Sequence, residues 1–323
     1  MSSAGSRVTA ARPVVLFVLG VNRSGTSALA RVLSLCGGTL PPGLVGAMPD
    51  NPLGHWEPRA ANFLNEAILQ RHHSTMFDPT LRLQEEGAFG TAERSAWVEE
   101  IRSFFTSLPT APLVVVVKDP RITVLSGLWF EGARSAGFDV MAAVTVRHPH
   151  EVIASVGRRS PASPELSGAL WLKYNLLAER HTRDVPRVFV EYANLLQDWR
   201  REVKRISAAL GIELDLGNDG AIDDFLKVDL RRQRYGGPAS ELFGSDWIST
   251  VYAELCALAR DEPWDGSALD RVFGAYRASE LDFRTVFEDF DRLRKLNRFY
   301  RPFMLKLNYK ILAMAGRRSK TWI

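Results

Sequence analysis

The stretch that most constrains this chain is the passage from Val14 to Leu35. Val14–Leu19 reads VVLFVL, six apolar residues without a break, which suits a strand covered on both faces of a parallel sheet. It runs straight into Gly20-Val21-Asn22-Arg23-Ser24-Gly25-Thr26-Ser27, and an apolar-periodic helix follows from Thr26 to Leu35. Gly37-Gly38 closes that helix. Strand, glycine loop and helix in that order form a setting in which backbone N–H groups and the helix dipole hold an anion.

The loop fits the phosphate-cradling spacing G-x-x-x-x-G-K-[ST] at every position but one, because Thr26 stands where the lysine would. That lysine reaches the β- and γ-phosphates of a triphosphate, so triphosphate chemistry is disfavoured. A cation stands inside the loop instead, at Arg23. The bland reading of the loop is a tight glycine turn with no ligand.

Further apolar runs alternate with helical patterns. Strands are expected at Leu113–Val117, Val140–Val146 and Val188–Val190, and helices at 60–71, 92–108, 122–135, from 152, at 165–183 and at 194–210. Alternation of this kind predicts an α/β fold, a P-loop-type parallel β-sheet flanked by helices, with a mainly helical C-terminal extension. At 323 residues, 46% hydrophobic and 24% charged, disordered, collagen-like and disulfide-scaffold chains are excluded. Cys36 and Cys256 are too few for a disulfide framework or a zinc cluster and read as buried thiols of a reducing compartment. No metal-ligand spacing occurs, and His72 and His73 read as surface residues. The net charge of +4 suits an anionic ligand, and no apolar run reaches the length of a membrane span. A cytoplasmic protein is expected.

Val144-Thr145-Val146-Arg147-His148-Pro149 ends the third strand, and Ser155 follows eight residues after Arg147. An Arg at a strand end and a Ser in the next helix can converge on one phosphate, the first as a planar fork and the second as a hydroxyl donor. Alone the pattern also fits a solvated Arg at a turn. Together with the loop at 20–27 it describes a ligand carrying phosphates at both ends of a nucleoside.

These two motifs resemble those of the PAPS-dependent sulfotransferases, in particular their bacterial branch. The resemblance covers about residues 13–215. It implies a co-substrate, 3′-phosphoadenylyl sulfate, with its 5′-phosphosulfate held by Asn22, Arg23, Ser24, Gly25, Thr26 and Ser27 and its 3′-phosphate by Arg147 and Ser155. Arg23 matches the cation that steadies the leaving oxygen. Tyr192 stands where the family places an aromatic near adenine, and a core aromatic is an equal reading. Arg158, Arg159, Arg231 and Arg232 are candidate additions near the 3′-phosphate, although the family's Arg-Lys-Gly segment is absent.

Asn51-Pro52-Leu53-Gly54-His55-Trp56-Glu57 is similar to the N-P-x-G-[aromatic]-E element of the bacterial branch, whose carboxylate is its proposed base. Glu57 is accordingly the expected base for an acceptor hydroxyl, with His55 the competitor and Trp56 beside the acceptor. Lys118-Asp119-Pro120-Arg121 ends the second strand, where open α/β sheets bind ligands, so Lys118 is expected at the reacting group and Arg121 at the acceptor. The implied reaction transfers a sulfuryl group to a hydroxyl of a carbohydrate, glycolipid or small molecule. A P-loop nucleotide kinase or NTPase, and a non-catalytic nucleotide-binding module, are the alternatives.

The expected organisation is a disordered tail (1–12), the nucleotide-binding core (13–215), a helical extension or acceptor lid (216–290) and a basic aromatic helix (291–323). Residues 292–320 carry ten Lys and Arg and no acid, interleaved with aromatic and aliphatic residues. That composition suits a peripheral contact with a membrane, or else a helix docked on the body with a solvated basic face. Nucleic acid is not expected as a partner, since no recognition module accompanies the basic residues.

Overall fold

The structure, a computed structural model, describes residues 12–48, 51–109, 113–226, 235, 245–296 and positions 307, 310, 311 and 314. Its centre is a four-stranded sheet of β1 (Val14–Leu19), β2 (Val114–Lys118), β3 (Asp139–Val146) and β4 (Arg187–Glu191). The order is β2-β1-β3-β4 and every pairing is parallel, with Val14 opposite Val114 on one side and Asp139 on the other. The α/β architecture expected from the alternating runs is therefore present.

β1 is buried along its whole length, which is why it carries no polar alternation. Its side chains divide by the pleat. Leu16 and Val18 join a core with Leu29 and Leu33 of α1 (Thr26–Leu35) and Val203 and Ile206 of α8 (Trp199–Leu210). Phe17 faces the other way, into Phe105 of α3 (Thr91–Thr106) and Trp129 and Phe130 of α4 (Pro120–Ser135), at ring-centroid separations of 5.2–6.3 Å. Burying each of these large side chains contributes about 1.5–3 kcal/mol, enough to fix the strand's register.

The other helices are α2 (Arg59–Arg71), α5 (Pro149–Gly157), α6 (Pro164–His181), α7 (Tyr192–Gln197), α9 (Asp219–Phe225), α10 (Trp247–Ala259) and α11 (Gly266–Leu296). Three helices, α4, α5 and α6, begin earlier than apolar periodicity suggests, each with Pro at its first position. In α4 the Asp119 carboxylate accepts the Arg121 N–H at 2.9 Å, and in α6 the Ser163 hydroxyl accepts that of Leu166 at 3.1 Å. The single helix expected over 194–210 is two helices. Asp198 leaves helical geometry (φ −153°) and caps α8 by accepting the Arg201 N–H. Leu195, Trp199, Val203, Ile206 and Leu210 are buried on both sides of this break, so the apolar rhythm conceals it.

The chain divides into a unit through Phe273 and a second from Gly274 onward. Within the second, Leu281, Phe283, Val286 and Leu293 of α11 are exposed, as are Leu307, Ile311 and Met314. Most of the basic tail expected at 291–323, together with the tail over residues 1–11, lies outside the described residues. Among the described residues no helix is long and apolar enough to cross a membrane, and no group of His, Cys, Asp and Glu could hold a metal ion.

The carboxyl ends of all four strands point to one edge, and there the backbone is tightest at Gly25. A Cβ placed on Gly25 (φ +101°) would lie 2.3 Å from the Tyr192 ring at the start of α7. Gly37 (φ +97°) has no atom within 4 Å of such a Cβ. Gly37→Ala is therefore expected to cost about 1–2 kcal/mol of backbone strain, and Gly25→Ala about 1–3 kcal/mol more from overpacking. Urea unfolding of the two variants checks this, and equal losses would contradict the close approach of Tyr192.

Candidate functional site

The strand ends surround a cavity of about 520 Å³. Its lining comes from the loop after β1 (Asn22, Arg23, Gly25, Thr26, Ser27), the end of β2 (Lys118, Pro120, Arg121), the end of β3 and α5 (Arg147, Ser155, Arg158, Arg159), and Tyr192 after β4. The 45–57 segment closes one side with Val45, Met48, Leu53, His55 and Glu57, while Asn62, Met76 and Phe225 complete the wall. This is the crevice in which open α/β sheets bind ligands.

The loop holds its shape through groups turned away from the cavity. The Gly20 N–H donates to the Thr123 hydroxyl at 3.0 Å. Ser24 is 1% exposed, and its hydroxyl donates to the Val21 carbonyl at 2.6 Å and pairs with the Thr145 hydroxyl at 2.6 Å. Ser24 does not line the cavity, contrary to the sequence expectation, because its hydroxyl is what closes the turn. Arg23 takes a left-handed conformation (φ +71°), and its carbonyl meets Arg147 at the end of β3. No side chain caps α1 and no acid stands in its first turn, so the N-terminal end of its dipole meets the cavity without an internal anion.

The two sequence motifs meet here. The Arg147 guanidinium donates to the Arg23 carbonyl at 2.9 Å, across 124 residues of sequence, and Arg23 Nε donates to the Ser155 hydroxyl at 3.0 Å. Arg147 also lies over the Tyr192 ring at 4.7 Å and donates to Glu151 at 2.9 Å. Trp171 holds the same residue from behind by donating to its carbonyl at 3.1 Å. Arg158 and Arg159 line this end of the cavity, whereas Arg231 and Arg232 lie outside the described residues.

At the other end Glu57 is buried, and Lys118 Nζ donates to its Oε1. The Asn62 amide donates to Oε2 at 2.8 Å, and Arg121 stands 4.0 Å from the same oxygen. Burial opposes ionisation of Glu57, but the charge and hydrogen bond of Lys118, helped by Asn62 and Arg121, outweigh it and hold the carboxyl below its ordinary value. Lys118 Nζ also donates to the Ser27 hydroxyl at 3.1 Å and the His55 carbonyl at 3.3 Å, so one ammonium joins the anion loop to the carboxylate. Lys118 pairs with Glu57 rather than with its neighbour Asp119, which accepts from Asn65 and Arg121.

Two expectations about the acceptor side change. Trp56 does not line the cavity; its backbone is at φ +57°, and its ring packs against the core, with Arg31 4.4 Å from the ring centre and Phe225 beside it. Arg121 does line it, but donates to Glu66 and Asp119 and is not aimed at an acceptor as a bare cation. His72 and His73 stand clear of the cavity, His72 against Phe89 and Glu93. Both cysteines are buried and free, and burial raises each thiol to about 11.

Sequence reasoning missed Glu151, Asn62, Glu66, Thr123, Thr145 and Met76. Glu151 stands in the first turn of α5, four residues after Arg147, and pairs with it across the turn from strand to helix. The two threonines look like any threonine in a buried strand or helix, and only the fold brings them under the loop.

No protein-family model matches the chain, and no curated protein does. Among solved structures it is similar to the sulfotransferase domain of the curacin biosynthetic pathway (18% identity, 84% of this chain and 98% of that one, TM-score 0.41). It is also similar to the sulfotransferase domain of the Synechococcus PCC 7002 olefin synthase (18% identity, 84% and 97%, TM-score 0.40). A third likeness is to sulfotransferase STF1 from Mycobacterium tuberculosis H37Rv (16% identity, 75% and 76%, TM-score 0.39). The reading of the site rests on its own geometry.

Proposed function

We propose that this cavity binds 3′-phosphoadenylyl sulfate and transfers its sulfuryl group to a hydroxyl. The observation that carries the reading is the joining of the β1 loop to the Arg147–Ser155 motif, through Arg147 to the Arg23 carbonyl and Arg23 to Ser155. A nucleotide with phosphate on both sides of its ribose spans these two groups; ATP has phosphates on one side only. The uncapped N-terminus of α1 suits the 5′-phosphosulfate, and Arg147, Ser155, Arg158 and Arg159 suit the 3′-phosphate.

In the transfer, the acceptor oxygen attacks sulfur, the bond from sulfur to the 5′-phosphate oxygen breaks, and 3′,5′-ADP leaves. Glu57, ionised by its cationic neighbours, takes the hydroxyl proton as the oxygen commits to sulfur. Arg23 and the loop N–H groups steady the charge gathering on the departing oxygen, with no reorganisation at the moment of reaction. Lys118 sits between carboxylate and loop and balances charge at the transferring group.

Calorimetry should give at least tenfold tighter binding of 3′,5′-ADP than of ATP, and Ser155→Ala should weaken it about 3–10-fold, the worth of one neutral hydrogen bond. Preferential binding and Mg²⁺-dependent turnover of ATP would sink the reading in favour of an NTPase. Arg23→Ala should lower kcat by about 10²–10³.

The acid limb of the pH–rate profile reports Glu57. Because its pKa is lowered by its neighbours, the wild-type limb should lie below the usual carboxylate range, near 4.5, and activity should fall only as pH drops through it. Lys118→Met removes the largest ionising influence and leaves burial dominant, so the limb should move upward. An unmoved limb would assign the proton to another group.

A further inference from the structure

The cavity's two ends differ in charge and polarity, and the difference bears on what the acceptor is. The end beneath α5 presents Arg23, Arg147, Arg158 and Arg159, with Glu151 the carboxylate paired to Arg147. At the opposite end each cation has its own carboxylate: Lys118 pairs with Glu57, and Arg121 with Glu66 at 2.5 Å and Asp119 at 2.9 Å. Among the described residues that end carries no net positive charge. A carboxylate or phosphate on the acceptor would gain nothing there and would meet Glu57.

The lining of this end is mixed. Asn62 spends one amide N–H on Glu57 and Asn51 one on the Gly54 carbonyl at 2.7 Å. Beside Asn51, His55 and Asn62, the apolar side chains of Val45, Met48, Pro52, Leu53 and Met76 make up the wall. Met48 and Leu53 line the cavity and are yet 48% and 39% exposed. Solvated large apolar side chains gathered at a cavity mouth, rather than scattered, mark a binding surface.

This wall is fixed rather than loose. Tyr174 of α6 donates its hydroxyl to the Met76 carbonyl at 3.0 Å, and the buried Lys173 ammonium donates to the Asp78 carbonyl at 2.8 Å. Ser74 and the Thr80 N–H both donate to the Asp78 carboxylate at 2.8 Å. Met76 is thereby held at the cavity by the body of the protein, in a position to set how bulky a group can reach Glu57.

We infer that the acceptor is an uncharged alcohol on an aliphatic, lipid-like body, seated against Met48, Leu53 and Met76 with its hydroxyl at Glu57. The inference rests on the sulfuryl-transfer reading above. In the reaction the alcohol O–H bond breaks, an O–S bond forms, the proton goes to Glu57, and an alkyl sulfate and 3′,5′-ADP are released.

The test uses the full chain in two arms. Titration with 3′,5′-ADP checks the donor site alone. Transfer from 3′-phosphoadenylyl [³⁵S]sulfate is then measured with 1-butanol, 1-octanol, 1-dodecanol, methyl glucoside and 12-hydroxydodecanoate, alongside direct NMR detection of 1-octanol and methyl glucoside binding without donor. The expected result is kcat/KM rising at least tenfold from butanol to octanol, weak or no transfer to the glucoside, and a lower kcat/KM for the hydroxy acid than for dodecanol. Leu53→Asp and Met48→Ser, both at partly exposed positions, should raise KM for octanol at least fivefold and leave 3′,5′-ADP affinity unchanged. Tight 3′,5′-ADP binding with preference for the glucoside or the hydroxy acid, or with no chain-length dependence, overturns the acceptor inference alone. Failure to bind 3′,5′-ADP overturns the donor reading, and octanol binding by NMR then decides whether the apolar subsite stands without it.

Discussion

The structure depends on the contact between Arg147 and the Arg23 carbonyl. A loop residue with φ +71° carries backbone strain, and such strain persists only where the surroundings over-determine it. Here they do so three times: Arg147 takes the carbonyl, Ser155 takes the guanidinium, and Ser24 ties the turn to Thr145 of β3. The loop after β1 is thus shaped by the strand beside it. Sheet order makes this possible, because β3 is the direct parallel neighbour of β1 and ends at the same edge.

That dependence also explains which parts of the site could be read from sequence. The β1 run, the glycine loop and α1 are legible because each is a local pattern, and the observed bounds of strand and helix coincide with the runs. Arg147 and Ser155 are legible as a pair because a strand end and the next helix place them together without long-range packing. Lys118 is legible only as a cation at a strand end; its partner, Glu57, lies 61 residues earlier and is supplied by the fold. The packing of Trp56 against the core instead of the cavity had no local signal, since a positive φ at an aromatic residue is set by what surrounds it and not by its type. The break at Asp198 had one, an acid at a cap position, and the continuous apolar stripe outweighed it.

Burial and pairing act on the same groups in opposite directions, and the balance gives the site its chemistry. A carboxyl as enclosed as Glu57 would stay protonated if desolvation alone decided. Lys118 reverses that, and in doing so becomes committed to Glu57, Ser27 and the His55 carbonyl at once. An ammonium with three acceptors is held close to one position, which fixes the distance between the anion loop and the carboxylate. Such an arrangement trades basicity for geometry: a carboxylate kept ionised is a weaker base, but its position is fixed, which is what the proposed proton transfer requires.

The same pairing divides the cavity. Because Lys118 and Arg121 are matched by carboxylates on β2's side, the cations among the described residues that line the cavity gather beneath α5, at Arg23, Arg147, Arg158 and Arg159. A dianionic or trianionic nucleotide has one orientation in such a field, with its charged groups toward the arginines and the α1 N-terminus. On the proposed reaction, that orientation would leave the reacting end of the ligand toward Glu57. The segment from 45 to 57 can vary its apolar lining without disturbing this, since the Glu57 and His55 contacts to Lys118 run through one carboxylate and one backbone carbonyl. Charge placement at the strand ends and the apolar lining of the covering loop are therefore separable, so that, on the sulfuryl-transfer proposal, a single sheet edge can keep one donor and change its acceptor.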